Sequence, residues 1–412
     1  MSQSIKIKRF YFDKLVEERY RYEASILIGP RQVGKTTLLF DLKRRFESEN
    51  QSVLYLNLEN PLDFQKLPSD EASLIRFLME YQVILIDELY YIENISRIFK
   101  IIVDTAKQNS PDGPYIKIYA SGSSAIDIHT HLHESLAGRR LITQIFPLTF
   151  SEFQLAFPQK SNAVLLEDFL TYGGLPGLLS VPSTEKTRLL QEMLETYIQK
   201  DVKSLVREEN IRAYNHLLVL LAQQQGQLIS IHSLSKEIGL NSGTTEKYLS
   251  ILEKTFVIYR LHSYAKNLAN ELKKSQKIYF YDLGIRNIIL QNFQSASKRD
   301  DYGLVLESFV LTEMMSTRLP EVQIRFWRTR NQQEIDFIVV KNQIPHPIEV
   351  KKQYRNHLSN IKKTFTAFFT HYPEAPYGTI VSFKDNEIST LLEDRLRVCD
   401  FCEGHCHNLA NS

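Results

Sequence analysis

The segment Gly29–Thr37, "GPRQVGKTT", constrains this chain more than any other. It follows the apolar run "SILI" and opens a stretch of helical periodicity from Lys35 to about Glu49. Glycines at both ends let the backbone curl with successive N–H groups pointing inward. A helix starting at Lys35 aims its positive end at the same point. Strand, glycine-rich turn and helix together make a cradle for phosphate. Gly29, Pro30, Arg31, Gln32, Val33, Gly34, Lys35, Thr36 and Thr37 are therefore expected to line a nucleotide, ATP, with Lys35 reaching the β- and γ-phosphates and Thr36 ligating Mg²⁺. Lys35 is expected to face solvent when no nucleotide is bound.

The surrounding residues 25–147 repeat the strand–helix rhythm. "SILIGP", "SVLYLNLE", "VILIDE" and "YIKIYASGS" read as short apolar strands, and amphipathic segments at 70–80 and 94–108 separate the last three. This pattern predicts a parallel sheet covered on both faces, an α/β fold. "VILIDE" ends in two carboxylates, and the carboxyl end of a buried parallel strand is where open α/β sheets bind ligands. Asp87 is expected in the Mg²⁺ shell and Glu88 as the base that polarises the attacking water. Ser121, Ser123 and Ser124, at the tip of the fourth strand, are candidates for contact with the γ-phosphate. Arg139 and, with less reason, Arg140 of "LAGRR" are candidates for neutralising transition-state charge.

The chain has 412 residues, enough for several domains. With 50 basic and 48 acidic side chains the formal charge is +2, so any surface for a polyanion must be local. No secretory signal opens the sequence, and no apolar run of about 18 residues suggests a membrane span. The three cysteines, Cys399, Cys402 and Cys406, all lie in the tail and suggest no disulfide framework. A reducing cytoplasmic setting without membrane attachment is the simple expectation. With His405 and His407 the same tail holds enough donors for zinc, but not in the usual pairs separated by a longer loop.

From Phe150 to Gln225 the periodicity is helical throughout. Residues 226–295 read as a winged helix: "HSLSKEIG", then "SGTTEKYLSILEKT" capped by Ser242, then two strands. On the second of these helices Glu246 and Glu253 balance Lys247 and Lys254, which weakens any phosphate-binding term, whereas Lys273, Lys274 and Lys277 form a basic cluster nearby. In residues 296–390 a helix precedes the strands "QIRFWRT", "EIDFIVV" and "HPIEVKK", and a further helix and strand follow. Period two puts Glu349 and Lys351 on one face of their strand. Asp336 and Glu349 are then placed to share Mg²⁺ or Mn²⁺, with Lys351 beside a phosphodiester, which is the donor arrangement of restriction-endonuclease-like cores. Glu307, on the preceding helix, takes the place of the extra carboxylate of such folds. Residues 391–412 read as a tail.

"GPRQVGKTT", "VILIDE", "ASGSSA" and "LAGRRLITQIFPLTFSEF", followed by "YGGLPG", resemble the bacterial and archaeal AAA-type ATPases related to the STAND signalling ATPases. "KKSQKIYFYDLGIRN" and "EIDFIVV…IEVK" extend the resemblance to that family's C-terminal domain. It implies a P-loop core over 1–149, a helical lid over 150–225, the winged helix over 226–295 and a restriction-endonuclease-like domain over 296–390. It also implies adenine contact by Gly174 and Pro176. The expected function is Mg²⁺-dependent ATP binding and hydrolysis, with a nuclease-like domain acting on DNA. Two alternatives stand beside it: a regulatory ATPase switch or scaffold with an inactive nuclease-like domain, acting through a protein partner or a second copy of the chain, and a winged-helix DNA-binding regulator.

Overall fold

The computed structural model describes residues 7–92, 94–109, 115–122, 136–197, 206, 210–265, 276–383, 391–392, 395–401 and 409–410. The chain divides into two compact units. The first comprises Met1–Leu148, Leu175–Ser180 and Lys254–Val257; the second comprises Thr149–Gly174, Val181–Glu253 and Ile258–Ser412.

The first unit runs α1 (Tyr11–Glu17), β1 (Ala24–Ile28), α2 (Lys35–Ser48), β2 (Val53–Asn57), α3 (Pro61–Phe64), α4 (Glu71–Leu78), β3 (Val83–Asp87), α5 (Ile95–Asn109), β4 (Lys117–Gly122) and β5 (Arg140–Gln144). Its five strands pair in parallel in the order β2-β3-β4-β1-β5. Strands β3 and β4 are buried along their whole length, which explains their continuous apolar runs. Helix α2 buries Leu38, Leu39, Leu42 and Phe46, and α5 buries Ile95, Ile98, Phe99 and Ile102. Asp70 caps α4 by accepting from the Ser73 N–H at 2.9 Å. The edge strand β5 was not among the expected strands; only Thr143 in it is buried, so it carries no apolar run. Because β4 lies between β1 and β3, the carboxyl ends of these three strands are neighbours.

The second unit begins with α6 (Phe150–Ala156), α7 (Asn162–Tyr172), α8 (Ser183–Tyr197) and α9 (Ile211–Gln223). Next come β6 (Leu228–Ile229), α10 (Ile231–Ile238), α11 (Ser242–Lys254), β7 (Ile258–His262) and β8 (Gln276–Phe280), with the strands ordered β6-β8-β7 and antiparallel. Asn241, not Ser242, caps α11: its side chain accepts from the Thr244 N–H at 2.8 Å. After α12 (Leu283–Ile289), α13 (Tyr302–Thr317) leads into β9 (Gln323–Arg328), β10 (Glu334–Lys341) and β11 (Ile344–Lys351), which form an antiparallel meander. Helix α14 (Leu358–His371) then crosses to β12 (Gly378–Ser382), which runs parallel to β11.

The expected loose tail is partly ordered. Leu396–Asp400 forms β14, parallel to β12, and pairs with the short β13 (Leu391–Leu392). Leu396, Val398 and Cys399 are buried, which supplies the apolar drive for this strand. Cys399 is disulfide-bonded. The only other cysteines, Cys402 and Cys406, and the expected zinc donors His405 and His407 lie outside the described residues.

Candidate functional site

The loop after β1 has the conformation its glycines permit. Gly29 has φ +150°, and a Cβ there would overlap the Ile145 carbonyl oxygen. Gly34 has φ +95°, and Gln32 adopts φ 62° between them. Lys35 is buried, not solvent-facing: its ammonium donates to the carbonyls of Gly29 at 2.8 Å and Pro30 at 2.7 Å. A buried ammonium needs acceptors, and the loop's own carbonyls supply them.

Thr36, Asp87 and Ser121 are linked across α2, β3 and β4. The Thr36 hydroxyl donates to Asp87 Oδ2 at 2.6 Å, and the Ser121 hydroxyl donates to Oδ1. Ser123 and Ser124 lie outside the described residues. Glu88 follows with φ 58°, an uncommon value for a non-glycine residue. Its Oε2 is buried without a hydrogen-bond partner. Burial raises its pKa; Lys35 opposes that shift, and neighbouring Asp87 adds to it. Tyr55, on β2, has its hydroxyl buried beside the Asp87 carboxylate. Burial, then the charges of Asp87 and Asp63, push the pKa of that phenol up, so it is a donor at any physiological pH. The hydroxyl–carboxylate donor set of Thr36 and Asp87, with a buried carboxylate oxygen left open beside it, fits a hydrated Mg²⁺.

Arg9 was not foreseen. It is buried and donates to the carbonyls of Val33 at 2.7 Å and Phe146 at 2.8 Å, tying the phosphate loop to the segment after β5. No local pattern marks one arginine among the basic residues of "KIKRFYF"; only the folded sheet brings it to the loop. A Cβ on Gly34 would stand 3.6 Å from Arg9 Nη1 and 3.8 Å from Pro176 Cγ, so both residues flank the loop. On the same unit Ile7, Lys8, Arg9, Phe12, Asp41 and Arg44 line a cavity of about 430 Å³. The Gly174 N–H donates to Asp282 Oδ2 at 2.8 Å within the second unit.

Arg139 is not at this site. Its carbonyl accepts from the N–H of Ala24, at the amino end of β1, whereas the phosphate loop leaves the carboxyl end of that strand. Its guanidinium pairs with Asp104 of α5 at 2.6 Å. In a parallel sheet the two ends of a strand face opposite ways, so an arginine entering β5 cannot turn to a phosphate bound beyond β1. Arg140 shares that end of the sheet, paired in register with Ala24.

In the second unit Asp336, Glu349 and Lys351 converge as expected. Lys351 Nζ lies 2.7 Å from Glu349 Oε1 and 3.8 Å from Asp336 Oδ2. The Val350 N–H donates to Asp336 Oδ2 at 2.8 Å, and the Asp336 N–H donates to Glu349 Oε2 at 3.4 Å. Burial, then the Asp336 charge, push Glu349 up to about 7 and Glu307 up to about 8. Glu307 accepts from the Tyr279 hydroxyl at 3.3 Å.

Lys277 is not part of an exposed basic cluster. It is 2% exposed, and its ammonium lies 2.6 Å from Glu334 Oε1. Burial alone would lower its pKa, but Glu307, Asp336 and Glu334 outweigh that and raise it. Lys273 and Lys274 lie outside the described residues. Glu246 and Glu253, expected to weaken DNA contact by α11, are bound to Arg260 of β7 at 2.5 and 2.8 Å.

Two lysines thus supply the counter-charge that a cation would bring to the carboxylates. Among the described residues no three His, Cys, Asp or Glu side chains converge as metal ligands. Glu307, Asp336 and Glu349 are close enough for the charges of Asp336 and Glu349 to raise Glu307, while Lys277 and Lys351 oppose that shift. Among the described residues no helix is long and apolar enough to cross a membrane.

The parallel five-stranded sheet with this loop and this threonine–aspartate pair defines a P-loop NTPase domain of the AAA type. Residues 21–154 match the family described as AAA domain. Residues 164–296 and 302–400 match two families described as domains of unknown function, DUF8612 and DUF4143. An uncharacterized protein of Mycobacterium tuberculosis is 24% identical over 336 residues, 81% of this chain and 71% of that one. An uncharacterized protein of Methanocaldococcus jannaschii is 28% identical over 348 residues, 74% of this chain and 71% of that one. Among solved structures, AMPPCP-bound DnaA from Aquifex aeolicus gives a TM-score of 0.33 at 14% identity, covering 58% of this chain and 86% of that one. The ADP form of the Aeropyrum pernix ORC2 protein gives 0.37 at 11%, covering 71% and 96%.

Proposed function

We propose that the protein is a Mg²⁺-dependent ATPase that acts as a switch. The observation that carries this reading is the Thr36–Asp87–Ser121 link beside a lysine held on the loop's own carbonyls. On binding, Lys35 exchanges the carbonyls of Gly29 and Pro30 for phosphate oxygens, and the loop N–H groups surround the rest of the phosphate chain. Thr36 and Asp87 would hold Mg²⁺, which neutralises charge on the β- and γ-phosphates. Glu88 serves as the base for water, its proton affinity increased by burial toward the range useful at neutral pH. The nucleoside lies on the Arg9 and Pro176 side of Gly34. Binding of a non-hydrolysable ATP analogue, measured by calorimetry, should be abolished in Lys35→Ala. Glu88→Gln should still bind while turnover falls about 10²–10⁴-fold, the usual cost of losing a general base. Unaltered binding in Lys35→Ala would remove the loop from nucleotide recognition.

For the C-terminal domain, charge compensation by Lys277 and Lys351 favours the switch or scaffold, in which a nuclease-like fold binds a protein partner or a second copy instead of cutting. Convergence of Asp336, Glu349 and Lys351 favours a second reading, a nuclease acting on DNA, with α10, α11 and the β7–β8 pair as a winged helix. Cutting would require Lys351 to release both carboxylates first. Incubating the protein with single- and double-stranded DNA, with Mg²⁺ or Mn²⁺ and with or without ATP, separates the two. Cleavage lost in Asp336→Ala would establish the nuclease; intact DNA in every condition leaves the switch.

A further inference from the structure

The stretch "YDLGIRN", residues 281–287, has no part in the nucleotide site as described. Within the second unit it closes on the end of α7 at three points. The Asn287 side-chain amide donates to the carbonyls of Leu170 at 3.1 Å and Thr171 at 2.8 Å. Gly284 packs so close that a Cβ there would overlap the Tyr172 carbonyl oxygen. Asp282 is buried; it caps α12 by accepting from the Ile285 N–H at 3.1 Å, and it accepts from the Gly174 N–H at 2.8 Å. Gly173 has φ +80°, and a Cβ on it would overlap Asp282 Oδ1. One carboxylate thus fixes the turn that ends α7. Burial pushes its pKa up to about 6, against the N–H groups that it accepts from, so above that pH it is ionised and a strong acceptor.

A cap alone does not need this carboxylate. Serine serves as well at a helix start, without the cost of a buried charge. The longer side chain also reaches Gly174, and the chain enters the first unit with the next two residues, Leu175 and Pro176. Within that unit Pro176 flanks Gly34 of the phosphate loop, on the side assigned above to the nucleoside. We propose that Asp282 is a positioning residue of the nucleotide site: by holding Gly174 it fixes the path of the chain into Pro176, and so the nucleoside end of the site but not its phosphate end. Without that bond the two glycines leave the segment free to take many conformations, and the ligand must order it on binding. This role rests on the ATPase reading given above.

Asp282→Ser keeps a cap for α12 and is too short to reach Gly174. Its affinity for a non-hydrolysable ATP analogue, measured by calorimetry with Mg²⁺, should fall roughly tenfold, the worth of ordering about one residue of backbone. Its affinity for tripolyphosphate, which has no nucleoside, should be unchanged. Lys35→Ala, at the phosphate end, should lose both. If Asp282→Ser does not fold, Asp282→Asn, which keeps the shape and one acceptor oxygen, carries the same comparison with a smaller loss. Undiminished affinity for the analogue overturns the proposal. So do equal losses for the analogue and for tripolyphosphate, which would mark a purely structural cap. If the wild-type protein binds neither, the ATPase reading itself fails and this role with it, a result distinct from both.

Discussion

Replacing Lys277 by methionine keeps the length of the side chain and removes one buried charge. The ammonium is 2% exposed and 2.6 Å from Glu334, and the carboxylates of Glu307 and Asp336 also act on it. Breaking a buried ion pair by removing one partner costs about 3–5 kcal/mol, because the other charge is left uncompensated. Glu334 keeps Arg328 at 2.8 Å and is partly solvated, so the lower end, about 3 kcal/mol, is expected near pH 8. The pH dependence is the sharper test. Glu307 and Glu349 have folded-state pKa values of about 8 and about 7, above the ordinary carboxylate range. A carboxyl whose pKa rises on folding takes up a proton, so it costs stability progressively as pH rises through the window between the unfolded and folded values. Without Lys277, whose charge opposes the rise of Glu307, that group is pushed further up. At pH 5.5 both carboxyls are protonated in the folded state either way, and the cost of the substitution shrinks. Trp327, the only tryptophan, is buried against Phe368 in the same unit and reports unfolding by its fluorescence. Urea titrations at pH 5.5 and 8.0 should show a destabilisation that grows with pH. An unchanged midpoint at pH 8.0 would mean that Lys277 is solvated. A cost that shrinks as pH rises would refute the charge argument.

Arg139→Ala should leave ATP turnover within about twofold of wild type in dilute protein, since the side chain pairs with Asp104 at the far end of the sheet. A large loss, restored by mixing with Lys35→Ala protein, would instead place Arg139 across a boundary between two copies. Glu313, on α13, has a carboxyl enclosed by the fold and pushed up to about 8 by burial, and it accepts from the Phe150 N–H at 2.8 Å. Glu313→Gln keeps the acceptor, so thermal melts near pH 4, below both the unfolded and the folded pKa, should coincide with wild type. The variant should gain on wild type as pH rises from the ordinary carboxylate range to about 8, reaching about 4–5 kcal/mol by pH 9; coincident melts at pH 9 would show that the carboxyl is solvated.

What the sequence disclosed and what it hid divide along a physical line. Gly29, Lys35, Thr36 and Asp87 were legible because each sits at a fixed offset from a strand whose apolar run is unmistakable, and the backbone carries the geometry from one to the next. Glu349 and Lys351 were legible for the same reason, period two on one strand. Arg139 failed because a chain order near the nucleotide motifs says nothing about which end of a parallel strand a residue occupies; that depends on where β5 pairs with β1. Lys277 failed because charge on a sequence is read by default as solvent-facing, and its burial comes from β8 packing beside carboxylates that lie 30 and more positions further along the chain. Arg9 and Tyr55 could not be read at all. Arg9 reaches carbonyls from two distant segments. Tyr55 is placed by the pairing of β2 with β3 and by one turn of α2. Motifs mark the phosphate loop, whereas the groups packed around it, and those that neutralise the C-terminal carboxylates, come from strand neighbours that no local pattern names. The C-terminal cluster shows the consequence. Its aspartate, glutamate and lysine are all present and all together, while neighbouring Glu334 and Glu307 meet a further charge from Lys277, on a strand of a different sheet.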